Sequence, residues 1–205
     1  MELLISSGPP PLPQNARAVI TPGQQGSRAF WPACRLLTIL LSVVLGRCLA
    51  QNSTSNEYAV KALFLYNFAK FADWPPTMAG GPICIGVIGD DPFGQVLDDA
   101  VAGKTVNGRA FVVRRFKSEQ DARQCHIVFV NLEKRLMRPA LEKLKDCGVM
   151  TVGDARGFAE AGGVVNFLLV DDRVRFEINL DAAARAGLKF SSKLLMLAKI
   201  VHGEP

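Results

Sequence analysis

Long apolar runs, histidines and phosphate-cradling glycine patterns are all scarce in this sequence, and each scarcity removes a class of function. The apolar stretch Leu36 to Gly46 runs for eleven residues, well short of the roughly 20 that a membrane-spanning helix needs. Only two histidines occur, His126 and His202, and with the scattered carboxylates they do not make metal-ligand spacing. No Gly-x-Ser-x-Gly elbow is present. Cys125 and His126 are neighbours, so in a strand their side chains point to opposite faces and form no dyad. Near the C-terminus, His202 reads as a cation complementing a helix end. Gly86, Gly89 and Gly94 are not spaced G-x-G-x-x-G. Gly86 falls inside a strand, and Asp90-Asp91 put negative charge where a phosphate would meet a helix. The same acidic pair would suit a phospho-receiver domain, yet the third strand ends in Asn131 where that fold needs its phosphoacceptor aspartate. The sequence predicts no enzyme, no cofactor and no metal.

What is present begins with a leader. Residues up to about Gln25 are rich in Pro, Gly, Gln and Ser, without an apolar period. Arg28 and Arg35 then precede the apolar stretch, and Cys48-Leu49-Ala50 follows it. Positive flank, short apolar region and small residue at the cut are the order of a secretory signal, with cleavage expected after Ala50. The stretch ahead of Arg28 is long for such a signal and leaves the true start codon open. A lipoprotein signal would need a small residue before Cys48, and Arg47 stands there. The whole chain carries 24 basic and 19 acidic residues. Losing Arg17, Arg28, Arg35, Arg47 and Glu2 leaves 20 and 18, close to neutral. No basic cluster with interleaved aromatics remains to bind nucleic acid.

The expected organisation is a leader over 1–50, a polar linker over 51–56 and one domain over 57–203. The domain opens with Glu57 to Trp74. At helical spacing Tyr58, Ala62, Leu65, Ala69 and Ala72 share one face, which predicts the core side. Val60, Phe64 and Phe71 lie opposite, with Asn67, and Lys70 and Trp74 beside them. That face fits either a helix sandwiched in the core or an aromatic strip offered to a partner or a second copy. Pro75-Pro76 ends the helix.

Strands then alternate with helices. Strands are expected at Ile83–Ile88, Ala110–Phe116, His126–Asn131 and Val149–Val152. Helices are expected at Phe93–Val101, with Asp91 as cap and Pro92 in the first turn, and at Glu133–Asp146. Two strands follow: the apolar run Val164–Val170, expected to be buried on both faces, and the alternating Arg173–Ile178, with Arg173, Arg175 and Glu177 on a wet face. Asp171-Asp172 makes a two-residue hairpin turn, since Asp tolerates the left-handed backbone. Leu180–Ala186 is a short helix closed by Gly187. Ser191 or Ser192 caps a last helix, on which Leu194, Leu195, Leu197, Ala198 and Val201 recur at helical spacing. The predicted class is α/β: a three-layer, Rossmann-like, mainly parallel sheet flanked by helices, with a C-terminal antiparallel hairpin.

Three of the five cysteines, Cys84, Cys125 and Cys147, lie in the domain. In an exported protein a disulfide is expected. With the doubly wound strand order 2-1-3-4, Cys84 and Cys125 begin parallel neighbours on one edge of the sheet, close enough to bond. Closing that loop would stabilise the fold by about 4 kcal/mol in the chain-entropy model. Cys147 is left over, either free or available to join two chains.

Several blocks in one order give the domain a resemblance. They are Lys61-Ala62 with Asn67-Phe68-Ala69-Lys70-Phe71 and Trp74-Pro75, then Ile88-Gly89-Asp90 with Pro92-Phe93-Gly94, then Cys125 to Phe129 and Gly162 to Phe167. The tail carries Arg175 to Asn179 and Ser191 to Leu195. From Tyr58 to Val201 the chain resembles the YfiR family (DUF4154), periplasmic proteins that restrain membrane-bound diguanylate cyclases. The resemblance implies binding without catalysis. Such a protein grips the periplasmic sensor domain of an inner-membrane cyclase and holds it inactive, and its release raises cyclic di-GMP and favours biofilm growth. It also implies a possible homodimer and a disulfide tied to correct folding. Cys84 and Cys125 resemble one family pair, while a second pair around Glu160 to Leu168 is absent here. Membrane contact is expected only through the partner or an uncleaved leader.

Two surfaces are candidates for the partner: Phe64, Asn67 and Phe71 on the first helix, and Arg173, Arg175 and Glu177 on the closing strand. A different class, a periplasmic small-ligand-binding protein serving a sensor or transporter, would show a pocket with convergent polar groups. An exported hydrolase would need a nucleophile beside His126.

Overall fold

The computed structural model describes residues 56–203; the leader and most of the linker lie outside them. Helix α1 covers 56–71. After it come β1 (Ala72–Asp73), a 3-10 turn (Pro76–Met78), β2 (Ile83–Gly89), α2 (Gln95–Val101), β3 (Thr105–Val106) and β4 (Arg109–Phe116). The middle is α3 (Glu119–Ala122), β5 (Ile127–Asn131), α4 (Lys134–Leu144) and β6 (Met150–Gly153). The closing part is β7 (Val165–Val170), β8 (Arg173–Asn179), α5 (Leu180–Arg185), β9 (Lys189–Phe190), α6 (Ser192–Leu195) and β10 (Lys199–Val201).

Eight of these strands form one sheet in the order β10-β8-β7-β6-β5-β2-β4-β3. The β4-β2-β5-β6 centre is parallel throughout and has the doubly wound order expected from the sequence. Two cores lie on its faces. On one, α1, α2, α5 and α6 contribute Leu65, Phe68, Leu97, Ala183 and Leu194. On the other, α3, α4 and the loop after β6 contribute Ala122, Leu141, Leu144 and Phe158. Central strands with side chains buried on both faces must be apolar along their length, and Ile83 to Ile88 and Ile127 to Val130 are.

The turn chemistry follows the residues. Asp171 and Asp172 both have positive φ, 50° and 56°, and pair β7 with β8 as an antiparallel hairpin, the backbone such two-residue turns require. Asn179 begins α5: its Oδ1 accepts the Ala182 amide at 2.9 Å, and its Nδ2 donates to the Ala159 carbonyl at 2.8 Å. Phe158 is fully buried, and its ring lies so close to Gly153 and Gly163 that a Cβ on either would overlap it. Glycine is needed there for approach.

Five expectations need correction. First, α1 ends at 71, because Ala72–Asp73 leave the helix to pair antiparallel with Phe190 and Lys189. Second, α2 starts at Gln95. Asp91 caps the turn ahead of it, accepting the Phe93 and Gly94 amides at 2.8 and 3.3 Å. Third, the last helix is a single turn. Ser191 caps it through the Leu194 amide, and Lys199–Val201 then adds as a strand parallel to β8. Ile200 and Val201 are β-branched and fit a pleated edge better than a helix. Fourth, only the first half of β7 is buried; Leu169 and Val170 are 57% and 47% exposed. Fifth, Glu177 is buried at 7% exposure. Asn166 Nδ2 donates to its Oε1 at 3.0 Å, and Lys199 on β10 lies 3.4 Å from Oε2. Because β10 takes the outer edge, β8 is not the last strand, and Glu177 leaves the wet face.

Candidate functional site

The N-terminal edge of the parallel sheet is held by a clamp. Cys84 and Cys125 are joined by a disulfide with Cα atoms 4.6 Å apart, because β2 and β5 are adjacent and in register from Ile85 and Ile127 onward. Beside the bond, His126 is buried. Its Nδ1 accepts the Cys84 amide at 3.1 Å, which assigns the ring proton to Nε2. Nε2–H then donates to the Met78 carbonyl at 2.8 Å. Arg109 completes the clamp. Its guanidinium donates to the carbonyls of Met78, Gly80 and Gly81 at 3.2, 2.8 and 2.6 Å, and lies 2.6 Å from His126 Nε2. Trp74 Nε1–H donates to the His126 carbonyl at 3.0 Å. Burial holds the His126 pKa below its ordinary value, and the Arg109 charge pushes the same way. No serine, cysteine thiol or carboxylate is among these hydrogen-bond partners of the ring.

The opposite, C-terminal edge is where open α/β sheets bind ligands, in the crevice where the strand order reverses. Here that crevice lies between β2 and β5 and is closed. Asn131 Nδ2 donates to the Asp90 carbonyl at 2.9 Å, and Gly89, with φ of 88°, packs on the Asn131 carbonyl where no Cβ would fit. Arg115 neutralises the acidic residues beyond it, pairing with Asp91 at 2.9 Å and Asp98 at 2.5 Å. The hydrogen bond from Arg115 holds the Asp98 carboxyl below the usual carboxylate range.

Next to it sits a buried ion cluster. Lys61, 3% exposed, reaches Glu57 and Asp154, each at 2.6 Å. Tyr58 donates to Asp154 at 2.9 Å, and burial together with the Asp154 charge pushes its phenol well up. The cluster ties α1 to the end of β6. Lys61 sits on the core face with Leu65, one turn on, and a lysine at such a position requires an acidic partner, here the partly buried Asp154 and Glu57.

The partner candidates fall in different surroundings. Phe64 is half-buried, its ring 5.4 Å from Phe176 and 6.0 Å from Phe167, so it packs on the sheet. Asn67 and Phe71 are half-buried as well. Arg173 and Arg175 are exposed. Besides Leu63 on α1 and Leu136 on α4, the exposed large apolar side chains lie elsewhere than the aromatic helix face: Leu169 and Val170 beside the hairpin turn, and Met196, Leu197 and Ile200 around β10, at 78%, 69% and 38% exposure for the last three. The last five belong to the β10-β8-β7 end of the sheet and the segment leading into β10. Cys147 is unpaired among the described residues. Among them, too, no His/Cys/Asp/Glu group is arranged to hold a metal, and no helix is long and apolar enough to cross a membrane.

Fold and site together define a disulfide-clipped, three-layer α/β domain whose crevice between β2 and β5 is bridged by the Asn131–Asp90 hydrogen bond. The chain belongs to the YfiR/HmsC-like family, DUF4154, which it matches over residues 58–199. At family level this supports a periplasmic regulator in cyclic di-GMP signalling. Among solved structures it is similar to a conserved domain protein from Vibrio cholerae, at 11% identity over 70% of this chain with a TM-score of 0.49. It is also similar to an ABC domain in complex with L-Trp from Streptococcus pneumonia, at 11% identity over 68% of this chain with a TM-score of 0.47. The likeness spans 60% of each of those chains. No curated protein matches this sequence.

Proposed function

We propose that this protein is a periplasmic, non-catalytic regulator that binds the sensor domain of an inner-membrane diguanylate cyclase and inhibits it, lowering cyclic di-GMP. Membership of the YfiR/HmsC-like family carries the reading. A regulator of this kind works by linkage: it binds the inactive cyclase conformation more tightly and shifts the equilibrium by that difference. Export would follow from the leader over 1–50, cut near Ala50.

The contact surface we assign is the exposed apolar side chains Leu169, Met196, Leu197 and Ile200 on the β10-β8-β7 side of the sheet, with Arg173 and Arg175, which alternate onto the other face of β8, kept as a separate candidate. Exposed apolar side chains gathered on one side of a sheet suit a protein interface. Phe64, Asn67 and Phe71 are kept as a secondary contact, and a second copy of this chain is a competing occupant of the apolar surface.

The test is retention of a membrane cyclase on the purified protein, with cellular cyclic di-GMP measured in parallel. L197E and M196E should abolish retention and raise cyclic di-GMP while the melting temperature holds, since both positions are exposed. If the unaltered protein retains no cyclase, the reading fails. If the variants dissociate a homodimer and leave cyclase retention intact, the apolar surface is the self-association surface instead.

A further inference from the structure

A hollow of about 470 Å³ lies between α4 and the loop after β6, lined by Lys134, Met137, Arg138, Ala155, Arg156 and Glu160 among others. We infer that it binds a small anion, a carboxylate or phosphate, that carries an apolar body. The inference stands apart from the regulatory reading above.

Three observations converge. The first is charge. Lys134 and Arg138 are four residues apart and share a helix face, where like charges repel. Arg156 adds a third cation from the loop. None of the three has a carboxylate within ion-pair distance among the described residues. An anion in the hollow would relieve that repulsion. The second is the floor. Met137 is buried, and Ala155 is half-buried beside it, so a ligand would meet apolar atoms below and cations at the rim, the arrangement of small-molecule sites. The third is position. α4 follows β5 and the loop follows β6, which places the hollow at the carboxyl ends of parallel strands, one strand over from the closed crevice. The loop wall is fixed before any ligand arrives. Phe158 anchors it between two glycines, and Asn179 holds the Ala159 carbonyl.

Volume sets the size of the guest. About 470 Å³ falls inside the roughly 300–1,000 Å³ of small-molecule pockets, which suits a single ring or short chain with one anionic group. Glu160 on the rim disfavours a guest with charge on every side.

The experiment is an amide NMR titration of the purified protein with phenyl phosphate, with inorganic phosphate and neutral benzyl alcohol run alongside. The expected result is a saturable shift at Ala155, Arg156, Gly157 and Ala161, weakened about tenfold or more in the R138Q/R156Q variant. Glu160→Gln should tighten binding, since it removes a like charge from the rim. All three positions are exposed, so the melting temperature serves as the folding control. No saturable shift, a shift that survives R138Q/R156Q, or weaker binding in E160Q would overturn the assignment. Equal affinity for inorganic phosphate would overturn the apolar part of it.

Discussion

The Nδ1 atom of His126 accepts the backbone N–H of Cys84 at 3.1 Å, so one imidazole hydrogen-bonds the residue that also carries half of the disulfide. Its other nitrogen holds the Met78 carbonyl at 2.8 Å. The neutral ring thereby couples the start of β2 to the loop that precedes it. A protonated ring would turn Nδ1–H against the Cys84 N–H and set a second positive charge against Arg109.

The pH dependence follows from that geometry. Burial lowers the folded-state pKa of His126 from the ordinary 6.5, so below about pH 6.5 the unfolded chain takes up a proton that the folded ring refuses. This contribution to stability is present above pH 6.5 and is lost as pH falls toward the lower folded value. Thermal melts between neutral and mildly acidic pH should show a decline that H126Q flattens, because an amide can still accept from Cys84 and donate to Met78.

Removing the disulfide in the C84A/C125A variant should lower unfolding free energy by about 4 kcal/mol, the chain-entropy value for a loop of this length; the cysteines are 41 residues apart. Urea denaturation checks it. A reductant should lower the stability of the unaltered protein by a similar amount and leave the variant unchanged.

Gly163→Ala puts a methyl group into the Phe158 ring. Overpacking of this kind destabilises by about 1–3 kcal/mol. Combining it with F158L should give less than the sum of the two single losses, because the smaller side chain vacates the space. Additive losses would show that the two positions do not share it.

Asn179→Ala removes the cap of α5 and strips the Ala159 carbonyl of its donor at a fully buried position. The two effects together should reduce stability by about 2–3 kcal/mol. Asn179→Asp keeps the cap acceptor but sets a buried carboxylate oxygen against the Ala159 carbonyl, so in a denaturation series it should be no more stable than Asn179→Ala.

Much of the fold was legible because its signals are local. Asp171-Asp172 between two strand patterns gave the hairpin, and the apolar runs at Ile83 and Ile127 gave the parallel centre and with it the meeting of Cys84 and Cys125. Misreadings arose where a distant partner decides the outcome. Leu194 to Val201 satisfies a helical period, yet the open edge of β8 captures Lys199–Val201 as a strand. The same event buries Glu177, which strict alternation placed in water. His126 was readable as a buried strand residue, but Met78 and Arg109, 48 and 17 residues away, reach it from a loop and another strand, and no spacing rule marks them. The exposure of Leu169, Met196 and Leu197 was hidden for a related reason: apolar side chains in a run look like core until no element among the described residues packs over them.

Where β10 sits also bears on how the protein avoids sticking to itself. It gives that side of the sheet a border only three residues long, whereas β8 behind it is seven. Short borders offer few free amide and carbonyl groups for foreign strands to zip onto. A chain cut before Lys199 would swap the short border for the long one. It should therefore precipitate or form intermolecular β-structure at concentrations where the uncut chain stays dispersed.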